Sequence, residues 1–527
     1  MAQPSTAYEP KSPAGTVLHR VVLEHLETFL AEAERTRGGE RLPRFVEEEF
    51  RQFLTCGLLA GGFARFRCGS CGMDRLVPFS CKGRGFCPSC GGRRMAERAA
   101  HLVDHVFPPV AVRQWVLSLP PRVRYLLAWD HALCRAVVAV YMRAVLGFLR
   151  RRAGEAGVRN GRSGAVAFVQ RFGAALNLNV HVHALVLDGV FAENPDGAVI
   201  FDPLPPPGDA DVGAVLAIVR HRILSMLQRR GLLDASDGFV ASDALAEEAP
   251  VLAGISAASV VGSIALGPRT GARVRRCAEP CDKVEAPPPG PRHARLEGFD
   301  LHANVAAPAG HRERLERLCR YALRPPIARD RLQITADGQV VLQLRRRWSD
   351  GTTHLLFDPI ELLERLAALT PRPRVNLVLY YGVLGARARW RGRIVASLRA
   401  AEARGEDRAA RPEPPEGTAP VSRPHDNTRA GGELTQRDPE IRAPEGGGHV
   451  WADLMRRTFG FDVLECPRCG ARMRLVATIE QRAVIERILR HLRLPSELAS
   501  PWPARAPPLD PDAFDSRVDL PVAETCA

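Results

Sequence analysis

The chain has 527 residues, 46% of them apolar and 25% charged, which is enough for several domains each with its own core. A net charge of +14 and a pI near 9.6 favour a polyanionic partner, nucleic acid first, and arginine supplies nearly all of the excess because lysine occurs only at Lys11, Lys82 and Lys283. No basic lead followed by an apolar run opens the chain, and no stretch approaches about 18 uninterrupted apolar residues, so neither a secreted nor a membrane-spanning protein is expected.

Residues 1–45 read as an N-terminal helical lead, with Val21, Val22, Leu26, Phe29 and Leu30 at helical spacing over 17–35. A second helix over 43–54 leads into cysteines, and thirteen of them in an apparently intracellular chain argue for metal before disulfides. Residues 46–106 carry Cys68-Gly-Ser-Cys71, Cys81 and Cys87-Pro-Ser-Cys90. Two Cys-x-x-Cys knuckles separated by about 15 residues have the spacing of a four-thiolate zinc ribbon, so Cys68, Cys71, Cys87 and Cys90 are the expected ligands, with Cys81 able to replace one. Arg65, Arg67, Arg75, Lys82, Arg84, Arg93 and Arg94 surround this ribbon and suit phosphate contact.

Beyond a helix over 93–106 and a strand over 112–119, Pro121 opens an expected long helix over 122–152. Two apolar runs, 165–172 and 180–190, form an expected antiparallel pair. The second begins Asn179-Val180-His181-Val182-His183. Side chains alternate along a strand, so His181 and His183 share one face a pleat apart, and two such imidazoles can hold one divalent cation or be no more than partly buried histidines. A helix over 209–232, a short strand over 260–266, a loop over 277–292 and an alternating strand over 299–305 follow. The helix over 311–323 must stop at Arg324-Pro325-Pro326. Near its end stands Tyr321, a candidate nucleophile flanked by Arg317, Arg320 and Arg324; a phenol with a pKa near 10 needs that help to attack phosphorus. A meander over 332–357, a helix over 359–369, a strand over 375–381 and an Arg-rich helix over 387–404 complete this body. Residues 405–448 have a linker's composition. Residues 449–495 read as a small C-terminal unit around Cys466-Pro-Arg-Cys469, half a zinc site with only Cys526 and His491 as weak partners, and 496–527 as a disordered tail.

In this order, Cys87-Pro-Ser-Cys90, Leu117-Ser-Leu-Pro120, Asn179-Val-His181-Val-His183-Ala-Leu-Val-Leu-Asp188-Gly, Leu301-His-Ala-Asn304 and Cys319-Arg-Tyr321-Ala-Leu-Arg324-Pro-Pro resemble the transposases of the insertion-sequence ninety-one family and its common-region relatives. These are HUH-type rolling-circle transposases. The resemblance covers roughly residues 45–400 and extends to the Cys466 region. It implies an α+β fold, in which an HUH endonuclease core of antiparallel sheet and flanking helices occupies residues 107–404 behind the N-terminal zinc ribbon. It also implies that His181 and His183 are metal ligands, that the catalytic ion is Mg²⁺ or Mn²⁺ beside a structural Zn²⁺, and that Tyr321 nicks single-stranded DNA to leave a 5′-phosphotyrosine and a free 3′-OH. Some members carry two tyrosines four residues apart; here those positions are Arg317 and Pro325, so the chain resembles the single-tyrosine branch. A third polar ligand is expected at Gln170, on the strand before His181, with His302 and Asn304 as competitors. Arg84, Arg93, Arg94, Arg317, Arg320 and Arg324 are the expected DNA contacts, at single- and double-stranded element ends and target, in a bacterial cytoplasmic, nucleoid-associated setting. The alternatives are a plasmid-type replication initiator or relaxase with the same core, or a zinc-ribbon DNA-binding regulator without catalysis.

Overall fold

The computed structural model describes residues 13–36, 38–233, 243–278, 290–394, 456 and 462–505. The linker over 405–448, Cys526 and most of the Arg-rich helix over 387–404 lie outside the described residues.

The centre is a six-stranded antiparallel sheet. In chain order its strands are β3 (Val112–Ser118), β4 (Gly164–Phe172), β5 (Leu178–Leu187), β9 (His293–Leu296), β10 (Phe299–Ala307) and β14 (Val378–Gly382). Their spatial order is β14-β4-β5-β3-β10-β9, so β3 lies between β5 and a strand that arrives much later. Every position of β4 is buried, which requires cover on both faces. One face, with Val166, Phe168, Leu185 and Leu187, packs on α3 (Pro88–His105) through Leu102 and Val103, and on α9 (Arg312–Leu323) through Leu315, Cys319 and Ala322. The other face, with Ala167, Val182, Ala184 and Trp115, joins the larger core of α1 (Val17–Thr36), α2 (Arg44–Thr55), α5 (His131–Glu155), α6 (Asp209–Arg229) and α10 (Pro359–Leu369). Each fully buried Val, Leu or Phe contributes about 1.5–3 kcal/mol, so the sheet is fixed from both sides. By length and composition α5 could cross a membrane, but here its Val137, Val138, Tyr141 and Val145 are core residues.

Several sequence expectations are corrected. The helix over 122–152 is two, α4 (Pro121–Trp129) and α5, because extended Asp130 intervenes and its carboxylate accepts the Leu133 amide as an N-cap. The strand expected over 260–266 is the end of a helix, α8 (Pro250–Val261), closed by Gly262 in the left-handed conformation and packed on α10. The run over 180–190 leaves the sheet at Asp188; Gly189–Glu193 is β6, paired with β7 (Val199–Pro203) and bridged through Phe191 to Arg162.

The expected separate C-terminal unit is also corrected. Its strand β15 (Met473–Ile479) pairs antiparallel with β1 (Phe63–Cys68), which pairs in turn with β2 (Asp74–Pro78), giving the order β15-β1-β2. Beside this sheet α11 (Arg482–His491) buries Ile485 and Leu489 against Phe63 and Ile479. The cause is local: β1 keeps one open edge after Asp74–Pro78 takes the other, and an amphipathic helix needs an apolar surface to cover.

Candidate active site and metal centres

The apolar face beneath α9 turns polar at one end. Along β5 the residues facing α9 are Leu187, Leu185, His183 and His181, and Gln170 of β4 stands directly opposite His181 in the register. Helix α9 brings Tyr321 to the same place: its ring lies 5.6 Å from that of His183, nearly perpendicular at 84°, and the two histidine rings are 4.9 Å apart. Tyr321 is 47% exposed and the Arg324 guanidinium stacks 4.0 Å over its ring, so the hydroxyl-bearing residue faces solvent beside two buried imidazoles.

Hydrogen bonds set the orientation of these groups. His181 Nδ1 donates to the Asn179 carbonyl at 2.8 Å, which leaves its Nε2 carrying the lone pair. His183 Nδ1 lies 2.6 Å from the side-chain amide of Gln114, from β3; the ring offers Nε2 as a ligand when that amide presents its oxygen and accepts the Nδ1 proton. Gln170 Nε2 donates to the Tyr321 and Ala322 carbonyls at 3.0 and 2.8 Å, capping α9 against the sheet. What remains are buried polar atoms without partners among the described residues: His183 Nε2, Gln170 Oε1 and Asn179 Oδ1. Buried polar groups are rarely left unsatisfied. His183 Nε2 and Gln170 Oε1 stand on one sheet face beside His181 Nε2, a donor set that suits Mn²⁺ or Mg²⁺.

The competitors are placed elsewhere. His302 shares the face but lies two strands from His183, roughly 10 Å by strand spacing, with its ring against His293. Asn304 accepts from Arg292 at 2.9 Å.

The cysteines form two sets of four, each with its sulfurs within 4.8 Å of one another: Cys56, Cys81, Cys87 and Cys90, and Cys68, Cys71, Cys466 and Cys469. The expected single ribbon of Cys68, Cys71, Cys87 and Cys90 is therefore corrected. Cys87 and Cys90 open α3 and meet Cys56 at the end of α2 and Cys81 in the loop between, with sulfur contacts of 3.5–3.7 Å. Cys68 and Cys71 sit in the β1–β2 turn and face the C-terminal knuckle.

A model of the IS91 transposase zinc-binding domain matches residues 21–119, and the Y2_Tnp transposase model matches residues 164–391, together well over half of the chain. The chain belongs to the IS91-type transposases. No curated protein and no solved structure matches it.

In this transposase the zinc-binding module abuts the tyrosine helix. A Cβ at Gly91, one position past Cys90, would lie 2.7 Å from Pro325, so only glycine lets α3 approach the end of α9 this closely. The cleft beside them is lined by Arg84, Arg94, Arg98, Gln170 and Arg324. Of the arginines expected at DNA, Arg93 and Arg317 are exposed, and Arg324 stacks on Tyr321 and Phe172 and donates to the Tyr321 carbonyl at 3.3 Å. The other three have protein partners: Arg94 donates to the Lys82 and Gly83 carbonyls, Arg320 pairs with Glu316 at 2.7 Å, and Arg84 donates to the Val375 carbonyl. Sequence reasoning missed Cys56, Gln114 and Arg345, whose charge interacts with both Tyr321 and Arg324. The run Arg345-Arg346-Arg347 was the available signal for Arg345.

Burial is the main cause that lowers both imidazoles. It takes His181 down to about 4, opposed by the bond to Asn179 and reinforced by Arg324 and Arg124, while His183 is lowered further by His181 and Arg324. Both are neutral at pH 7, as ligands must be. An unfolded imidazole titrates near 6.5, so below that pH the unfolded chain binds protons that the folded chain refuses. Stability is therefore whole above pH 6.5 and declines as pH falls towards 4, with His181 alone removing about 2 kcal/mol by pH 5. His131, also lowered to about 4 chiefly by burial, acts in the same sense. Urea unfolding of metal-free protein at pH 7.5, 6 and 5 measures this; a flat profile contradicts it.

Proposed function

We propose that this transposase nicks single-stranded DNA at element ends with Tyr321 as nucleophile, on an HUH-type core, as the opening step of rolling-circle transposition. The observation that carries the reading is the placement of Tyr321 against His183, beside three buried polar atoms that lack partners. His181, His183 and Gln170 would hold a divalent ion there, and a bound ion would polarise the scissile phosphate. The Tyr321 oxygen then forms a bond to phosphorus as the bond to the 3′-oxygen breaks; the phenolic proton is lost and the departing oxygen gains one, leaving a 5′-phosphotyrosine and a 3′-OH. Arg324 lies over the tyrosine ring, where its charge faces the incoming phosphate. In the N-terminal module, Cys56, Cys81, Cys87 and Cys90 would hold a structural zinc.

The test is incubation with labelled single-stranded oligonucleotides spanning candidate element ends, with Mn²⁺ or Mg²⁺. A covalent protein–DNA adduct that chelation prevents supports the reading. Binding without any adduct, on all substrates, supports a non-catalytic regulator instead. Gln170 is tested separately, because it both caps α9 and offers Oε1. Gln170→Ala is expected to weaken Mn²⁺ binding by about 10–100-fold and to slow nicking. Metal-dependent cleavage at the wild-type rate in that variant removes Gln170 from the ligand set.

A further inference from the structure

The two knuckles of the second cysteine set are copies of one turn. In each, the first sulfur receives the backbone amides two and three residues on: Ser70 and Cys71 to Cys68, Arg468 and Cys469 to Cys466. In each, the following glycine has a left-handed backbone, φ +72° at Gly72 and +74° at Gly470, and its amide closes on the carbonyl of the first cysteine at 3.1 and 2.8 Å. Each knuckle then runs into a strand, β2 or β15, on opposite edges of β1. Cys68 and Cys466 are both 1% exposed. Across the pair, Cys68 lies 3.5 Å from Cys469 and Cys71 lies 3.6 Å from Cys466. A tetrahedron of sulfurs with metal–sulfur bonds of about 2.3 Å has edges of about 3.8 Å, so four thiolates already stand near the spacing zinc imposes.

We propose that Cys68, Cys71, Cys466 and Cys469 bind a second structural zinc, in one site split between the two ends of the chain, and that this ion clasps the C-terminal segment to the N-terminal module. The matched family spans end at residue 391, so half of this site lies outside them. Binding releases the thiol protons to solvent and leaves a tetrathiolate of net charge −2. Arg75 and Arg67 lie close by to offset it: Arg75 donates to the Val463 carbonyl at 3.3 Å, and the Arg67 guanidinium is 3.8 Å from where a Cβ at Gly72 would stand. The inference does not depend on the nicking chemistry and fails independently of it.

Metal analysis of the full chain, purified without chelator, is expected to give two zinc ions per chain. Cys466→Ser with Cys469→Ser is expected to give one, and Cys277→Ser, at an exposed cysteine outside both sets, two. One zinc in the wild type, or two in the double variant, overturns the proposal. So does a wild-type count of one with four thiols missing from a thiol titration, which would make the second set two disulfides. If the double variant does not fold, cobalt-substituted Cys469→His replaces it: two metal ions retained, with a thiolate-to-cobalt charge-transfer band weakened in proportion to the one thiolate removed. An unchanged band there overturns the proposal equally.

Discussion

Tyr321→Phe is expected to eliminate the covalent DNA adduct while leaving the fold and DNA binding in place. The substitution removes only the hydroxyl. The ring that packs edge-on to His183 and beneath Arg324 remains, and the position is half exposed, so stability should change by no more than about 0.5 kcal/mol. The adduct rate should fall by a factor on the order of 10³ or more, as for loss of any nucleophile. The neighbouring tyrosines are poor substitutes: Tyr380 and Tyr381 lie half-buried in β14, where burial raises both hydroxyls, Tyr381 to about 12. A denaturing gel with labelled oligonucleotide reads the result. An adduct of undiminished yield in the phenylalanine variant would remove Tyr321 from the mechanism.

Asp188→Ala should be the most destabilising single change near the site. Asp188 ends the histidine strand and is buried, with its two oxygens taking Arg113 Nη2 at 2.6 Å and Nε at 3.1 Å, while Arg113 Nη1 donates to the Ala303 carbonyl. Removing the carboxylate strands a guanidinium in the sheet interior, which typically costs about 3–5 kcal/mol. Replacing both partners, with Asp188→Leu and Arg113→Met, should recover much of that loss, because no buried charge is then left alone. Urea unfolding at pH 7.5 measures both. A cost below about 1 kcal/mol for the alanine variant would mean that water reaches Arg113 and that the pair is not a buried one.

The elements of the candidate site were legible because each is written in a local pattern. The histidine strand alternates with period two, and the tyrosine helix has an apolar stripe at Leu315, Leu318 and Ala322, of which Leu315 and Ala322 are buried with Cys319, and a hard stop at Pro325. Gln170 was legible as a neighbour of His181 by strand pairing alone, although not its donation to the carbonyls of α9. Gln114 was not, since nothing in the order of residues says that β3 inserts between β5 and β10. The cysteine grouping failed for the same reason. Spacing along the chain joins Cys71 to Cys87, whereas the fold sends one knuckle to the end of α2 and the other to a segment hundreds of residues away. Helix α8 was misread because its β-branched end, Val260-Val261, resembles a strand, and its burial against α10 decides otherwise.

The pairing of β15 with β1 also sets an order of events during synthesis. Cys68 and Cys469 are 401 residues apart, so at about 5–20 residues per second the ribosome needs roughly 20–80 seconds to deliver the partner strand after β1 emerges. Through that interval β1 keeps one open edge, and the Phe63 face lacks the cover of Ile485 and Leu489. A chain that stops before β15 is thus more prone to aggregate than one that carries it, because Phe63 and one edge of β1 stay uncovered.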